Sequence, residues 1–537
     1  MRLLKGRLIN VSNRLPVLIR KRAGGIRVER SSGGLATALD AAWREEPGIW
    51  IGWAGASQSQ GVDQLLAKAS RSRSHVLQPV ELSEEEIAKF YSGFANEILW
   101  PLFHDMPSRC NFDPEYWEAY QRVNRKFAGV VARAAQEDDF VWVHDYHLML
   151  AAGYMRDEGV RARIGFFLHI PFPAPDVFEK LPWRKDILSA LLQFHAVGFQ
   201  TDRDRCNFVN CLQRLLPEIN VETASPHSIV SLNGRQALIG TFPISIDFEE
   251  FAQEACSDEV AGRAANIRKE LLDNTLVLGV DRMDYTKGIP ERLKAFRILL
   301  RRFPELRKQI TLVQVVVPSR EEIPDYKDLR GEVELLVSQI NGEFTQPGWV
   351  PIHYMHRNLS REELLAYYRA ADIALITPLK DGMNLVAKEF CAAQVDERGV
   401  LIVSEFAGAS QELRHGAILV NPNDFSAVAQ ALRDASQMSA EEKRNRMRLL
   451  RQIVKDRNVQ RWARTFIETA TAVAADTKAS SSHGGGAGGD QPLTPKYPPD
   501  EIAALPLVAA SLPFGARLHT MPGKVHRVAK VWPTAQS

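Results

Sequence analysis

Cysteine is scarce: five residues in 537, Cys110, Cys206, Cys211, Cys256 and Cys391, an odd number at scattered spacings. That excludes a disulfide framework and a zinc cluster, and Cys206 and Cys211, five apart on a predicted helix, do not share a face. Buried free thiols are expected. Charge of one sign is also missing, with Lys+Arg at 67 against Asp+Glu at 65 and a net +2. No large field is available to draw in nucleic acid or an anionic membrane, so neither is an expected partner and a charged ligand must be met locally. No run approaches the ~18 consecutive apolar residues of a membrane helix. The opening MRLLKGRLINVSNR has no uninterrupted hydrophobic region before a small-residue cleavage site, reads as a first strand, and a cytoplasmic protein is expected. No GxGxxG follows a predicted strand, and GxxxxGK[ST] and GxSxG do not occur, which removes support from dinucleotide oxidoreductases, Walker NTPases and α/β-hydrolases.

What is present is an α/β pattern. Short runs rich in Val, Ile and Phe, from RLINVS, GIWIGW, FVWVHD, RIGFFLHI and AVGFQT to TLVLGVDR, ITLVQVVV, DIALIT and VLIVSEF, alternate with helical stretches. Continuous apolar strands of this kind belong to parallel sheets covered on both faces. At this length two domains are expected, 1–247 and 248–475. From 476 to 537 the chain turns Gly-, Ser- and Pro-rich and then irregularly apolar, which predicts a low-complexity linker and tail.

In doubly wound sheets ligands bind outside the carboxyl ends of the strands, and polar clusters follow several of these strands. SNR (12–14) leads through a basic stretch, 18–30, to SSGGL (31–35); the paired Gly33 and Gly34 before a helix make either a plain turn or an anion socket. HDYH (144–147) could supply metal ligands in His144 and His147, but its place at a strand end better suits hydroxyl recognition by Asp145 and Tyr146. His169, after an apolar strand, is a packed core histidine or a donor to a bound hydroxyl. Arg282 and Lys287 flank a turn and could clamp a diphosphate, or form a surface salt bridge with Asp281 or Asp284. In DGMNLVAKE (381–389), Gly382 relieves a turn, the amides of Met383, Asn384 and Leu385 could meet a phosphate or sugar hydroxyls, and Glu389 could receive hydroxyls. Alternatively Asp381 is a helix cap and Glu389 a solvated charge.

Taken together, VSNR with SSGGL, LWPLFH, WEAYQRVN, HDYHL, RIGFFLHIPFP, GFQT, DRMDYTKGIPER, PSR, YMHRNLSREELLAYYRAADIALITPLKDGMNLVAKEF and SEFAG resemble the trehalose-6-phosphate synthase family over about residues 7 to 465. The resemblance implies a GT-B fold, two Rossmann-like domains facing across a cleft, with the C-terminal helix crossing back onto the first. It implies transfer of glucose, with retention, from a nucleoside diphosphate, usually UDP, to glucose 6-phosphate, without metal or cofactor. By the same resemblance Arg14, Tyr91, Trp100 and Arg320 hold the acceptor sugar and its phosphate, and Asp145 binds acceptor hydroxyls. Gly34, Arg282 and Lys287 match donor diphosphate contacts and Glu389 the ribose ligand. His169, Asp381 and the backbone around Met383 and Asn384 match donor-glucose contacts, with Gly382, Leu385 and Val386 also assigned to the donor. The reacting centre is expected at Arg282, Lys287, Asp145, His169 and Asp381, with front-face attack rather than a carboxylate nucleophile.

Two other readings share the scaffold: a synthase with another phosphorylated acceptor, such as glucosylglycerol-phosphate synthase, and a catalytically silent sugar-phosphate sensor. The resemblance also makes a dimer or tetramer plausible. With no room for a further α/β core, a separate trehalose-phosphate phosphatase is expected in the pathway.

Overall fold

The computed structural model describes residues 4–22, 25–30, 34–42, 47–55, 66, 68–70, 74–224, 226–320 and 323–481. Two sheets carry the architecture. The first is nine-stranded, in the order His75–Pro79, Gly48–Trp53, Leu8–Arg14, Phe140–His144, Arg163–Phe167, Ala196–Phe199, Arg235–Thr241, His227–Leu232, Asn220–Ala224. It is parallel through Arg235–Thr241 and ends in an antiparallel meander, an edge that the strand runs did not announce. The second is six-stranded and wholly parallel: Ile352–His356, Ile310–Val317, Thr275–Arg282, Ile373–Ile376, Val400–Ser404, Ile418–Val420. Strands such as Phe140–His144 and Val400–Ser404 are buried at every position, as helices on both faces require. The basic stretch 18–30 falls in a separate hairpin, Val17–Arg22 paired with Gly25–Arg30.

In each sheet the first strand of the series lies in the interior, because strands are added first on one side and then on the other. Leu8–Arg14 lies between Gly48–Trp53 and Phe140–His144; Thr275–Arg282 lies between Ile310–Val317 and Ile373–Ile376. Such reversals open a crevice at the carboxyl ends of the strands. Arg14 and Asp145 occupy one crevice, Arg282 and Arg320 the other.

The helix Val459–Ser481 follows the second sheet in sequence yet packs on the first. Phe466 stacks on Trp142 with ring centroids 4.5 Å apart, and Trp462 Nε1 donates to the Phe242 carbonyl at 3.1 Å. A Cβ on Gly165 or Gly198 would lie 3.0 or 2.8 Å from the Phe466 ring, so the strand surface is cut away to admit it. The helix continues past residue 476 to Ser481; the rest of the predicted tail, 482–537, lies outside the described residues. Among the described residues, no helix is long and apolar enough to cross a membrane. The thiols of Cys211 and Cys391 are buried, Cys110 and Cys206 half-buried and Cys256 exposed, and all are free.

Candidate active site

The two crevices face each other, and cations from both meet in the gap. The guanidinium of Arg14 lies 4.7 Å from the Trp53 ring and 5.0 Å from that of Tyr91. Arg282 lies 5.7 Å over Trp100, and Arg320 4.1 Å over the same indole. Burial would push the Tyr91 phenol up, yet the charges of Arg14, Arg320 and Arg282 outweigh it and hold the group below its ordinary value. Among the described residues neither Arg14 nor Arg282 makes a contact ion pair with a carboxylate, although Arg282 acts through space on Asp284 and Asp145.

Tyr91 and Trp100 reach one side of their helix by an unusual route. Nine positions are about two and a half turns of α-helix, which would put them on opposite faces. Ile87–Leu99 instead winds as a π-helix, with the Trp100 N–H bonding to the Ala95 carbonyl, and its wider turn brings both rings to the arginines. Asn96 Nδ2 donates to the Tyr91 carbonyl at 2.7 Å, and its Oδ1 accepts from Tyr146 Oη at 3.1 Å.

Arg320 is nearly buried and is held by Tyr326 Oη at 2.5 Å, by Tyr146 Oη at 3.3 Å and by Asp284 at 3.5 Å. Asp284 joins the domains: it accepts from Thr286 N at 3.0 Å, Thr286 Oγ1 at 2.9 Å and Trp100 Nε1 at 3.4 Å. Burial raises its carboxyl, but Arg320, Arg282 and Lys287 pull it below the usual carboxylate range. The expected alternative, Arg282 or Lys287 paired with Asp281 or Asp284, is not what forms. Asp281 pairs with the buried Arg292 at 2.5 Å, and Lys287 pairs with Asp381 at 2.6 Å.

Asp381 is therefore not the helix cap. Its Oδ2 accepts from Lys287 Nζ and from Asn384 Nδ2 at 3.1 Å, and its Oδ1 from Met383 N at 3.3 Å. Burial raises it, but Lys287, His104 and Asn384 hold it below its ordinary value. The cap of Leu385–Ala393 is Asn384, at φ +74°, accepting from Ala387 N at 3.1 Å. The N–H groups of Leu385 and Val386, in the first turn, have no acceptor within the helix. At Gly382 the domains approach closely: a Cβ there would lie 2.3 Å from the His169 carbonyl oxygen and 3.0 Å from Ile170 Cα.

Gly34 opens the helix Gly34–Ala42 and shares one concavity with Thr37, Ile246, Phe251, Leu385 and Glu389; a Cβ on Gly34 would stand 3.5 Å from Leu385 Cδ1. Its neighbour Gly33 lies outside the described residues. Glu389 is half-buried rather than a solvated charge, and accepts from Tyr368 Oη at 2.9 Å. Burial raises its carboxyl against the pull of Tyr368 and Arg361.

Asp145, at φ +74°, accepts from His169 N at 3.3 Å, and burial pushes its carboxyl up to about 7. His147 stacks on Tyr91, 5.9 Å between centroids, while His144 Nδ1 lies 3.1 Å from His169 Nε2. Among the described residues no three His, Cys, Asp or Glu side chains are grouped to hold a metal ion. Of the described residues singled out, Arg14, Tyr91, Trp100, Arg282 and Arg320 meet around shared rings, Lys287 pairs with Asp381, Asp145 bonds His169, and Gly34, Leu385 and Glu389 share one concavity. Sequence reasoning passed over Tyr326, Asn96 and Gln200 and read Asp284 only as an alternative salt-bridge partner. Gln200 falls inside a quoted cluster, but Asn96 and Tyr326 gave no local signal.

The model of glycosyltransferase family 20 matches residues 6–472. A trehalose-6-phosphate synthase from Mycolicibacterium gilvum is 42% identical over 470 residues, 86% of this chain and 93% of that protein. A bifunctional trehalose-6-phosphate synthase/phosphatase from Thermoproteus tenax is 43% identical over 472 residues, and the match spans 63% of that longer protein. Among solved structures, a UDP-forming α,α-trehalose-phosphate synthase from Burkholderia xenovorans in complex with glucose-6-phosphate superposes with a TM-score of 0.80 at 34% identity, covering 87% of this chain and 100% of that one. An E. coli structure bound with UDP-2-fluoro glucose gives 0.78 at 34% identity, covering 87% and 99%.

Proposed function

The chain belongs to glycosyltransferase family 20, and from that premise we propose that it transfers glucose from UDP-glucose to glucose 6-phosphate with retention, forming α,α-trehalose 6-phosphate and UDP. The observation that carries this reading is the meeting of Arg14, Arg282 and Arg320 around Tyr91 and Trp100. Two anionic substrates must be brought together in the reaction, and a cleft holding unpaired cations from both domains suits that need. Arg14, Tyr91 and Arg320 receive the acceptor phosphate beside the Trp100 face, and Asp145 binds acceptor hydroxyls. Arg282, Lys287, the helix start at Gly34 and the free amides of Leu385 and Val386 receive the donor diphosphate, with Glu389 on the ribose. His169, Asp381 and the backbone from Gly382 to Asn384 hold the donor glucose.

As the anomeric C–O bond breaks, negative charge gathers on the leaving diphosphate, and fixed cations and helix dipoles lower the barrier because they need no reorganisation. Lys287 shares its charge with Asp381, so Arg282 is the cation left free for that oxygen. Retaining glycosidases use a carboxylate nucleophile. Here both oxygens of Asp381 already accept hydrogen bonds, and Asp145 has a raised affinity for its proton. Those properties favour sugar binding and front-face attack, with the departing phosphate oxygen taking the acceptor's proton.

The test is UDP release from UDP-glucose with each acceptor in turn. Release with glucose 6-phosphate is expected. Release with glycerol 3-phosphate alone would move the assignment to that acceptor, and silence with every donor and acceptor would support a sensor.

A further inference from the structure

We propose that Gln200 is a positioning residue that dictates which nitrogen of His169 carries its hydrogen, and through His169 which nitrogen of His144 does. Gln200 follows the strand Ala196–Phe199 and is 2% exposed. Its Oε1 accepts from the backbone N–H of Ile244 at 2.9 Å. A backbone N–H can only donate, so the amide oxygen must face Ile244 and the NH2 must face away. That NH2 lies 3.3 Å from His169 Nδ1. It too can only donate, so Nδ1 is the bare nitrogen and the hydrogen of neutral His169 is on Nε2. Nε2 in turn lies 3.1 Å from His144 Nδ1, which must accept, leaving the His144 hydrogen on its own Nε2. The order therefore runs in one direction from a main-chain donor through Gln200 and His169 to His144. Burial keeps both rings neutral, pushing His169 down to about 3 and His144 well below its ordinary value.

The origin of this chain is itself fixed by the second domain. Lys388 is 1% exposed and pairs with Glu412 at 2.5 Å; it also donates to the Ile244 carbonyl at 2.8 Å. Lys388 precedes Glu389 on the helix that lines the proposed donor site. One residue, Ile244, thus meets Lys388 at its carbonyl and orders the histidines from its N–H. A sugar hydroxyl arriving at His169 finds Nδ1 accepting from Gln200 and can only share the Nε2 hydrogen that already reaches His144. That last consequence rests on the donor-glucose role proposed for His169, whereas the hydrogen placement does not.

The test is a 15N spectrum of the full chain with labelled histidines and no ligand, the signals assigned by their loss in His169→Gln and His144→Gln. A bare Nδ1 and a protonated Nε2 are expected on both rings, and a protonated Nδ1 on His169 would overturn the proposal without any Gln200 variant. In Gln200→Glu one oxygen still serves Ile244 and the other can only accept, so His169 Nδ1 is expected to gain a hydrogen; no change there would also overturn the proposal. With the melting temperature unchanged, this variant is expected to lose about tenfold or more in kcat/KM for UDP-glucose, the loss of about one hydrogen bond. A shifted hydrogen with normal kcat/KM would leave the placement standing and remove Gln200 from positioning.

Discussion

Lys287 meets Asp381 at 2.6 Å, the two side chains 12% and 13% exposed, and this pair fixes the loop that runs into the helix Leu385–Ala393. Removing one member of such a pair leaves a charge in a poorly hydrated place, at a cost of about 3 kcal/mol. Lys287→Met is expected to lose about that much in urea unfolding. Adding Asp381→Asn should restore part of the stability but none of the turnover, which separates the structural role of the pair from its chemical one.

Asp145 gives a pH dependence of defined sign. Its folded value, about 7, stands above the ordinary 3.8, so between those values the folded protein holds a proton that the unfolded chain has released. The stability this contributes is complete below about pH 4 and disappears as pH rises through about 7. Asp145→Asn imitates the protonated form at every pH. Its melting temperature relative to the unaltered protein is therefore expected to rise from pH 5 to pH 8.

Arg282 and Asp145 are expected to differ in turnover. Arg282→Ala removes the cation nearest to free, from a site where removing one charge-stabilising donor costs about 10²–10³ in kcat. Asp145→Asn keeps a hydrogen-bonding group of the same size and should lose much less. Equal losses in single-turnover assays, with a trapped glycosyl-enzyme, would assign Asp145 the nucleophile's role.

Gly382→Ala would drive a Cβ to within 2.3 Å of the His169 carbonyl, and both neighbours are main chain that can yield only by moving the domains apart. A loss of about 2 kcal/mol or more is expected in unfolding. The KM for UDP-glucose should rise with it, since Gly382 leads into Asn384 and the helix proposed to meet the donor.

The sheets were legible because fully buried strands such as FVWVH and VLIVS are apolar at every position but the last and need no partner to be identified. The strand-end clusters were legible for a related reason: a polar or glycine-rich stretch after such a run stands out locally. Bonds between distant segments left no such trace. Trp100, assigned to the acceptor by resemblance, and Asp284, read as a local salt-bridge partner, gave no sign of meeting each other across 184 positions. Asn384 displaced Asp381 as the helix cap because Lys287, from another loop, took the Asp381 carboxylate. The π-helical winding of Ile87–Leu99 had no sequence mark either, since it rotates residues whose identities suit an α-helix equally well.

The division of anions between the two substrates is most directly measured by the steady-state KM values of Arg14→Ala. KM for glucose 6-phosphate is expected to rise about tenfold or more, the loss of a charge-assisted contact, while KM for UDP-glucose stays within about twofold. A KM for UDP-glucose that rises while that for glucose 6-phosphate holds would contradict the assignment of Arg14 to the acceptor phosphate, and with it the arrangement proposed for the cleft.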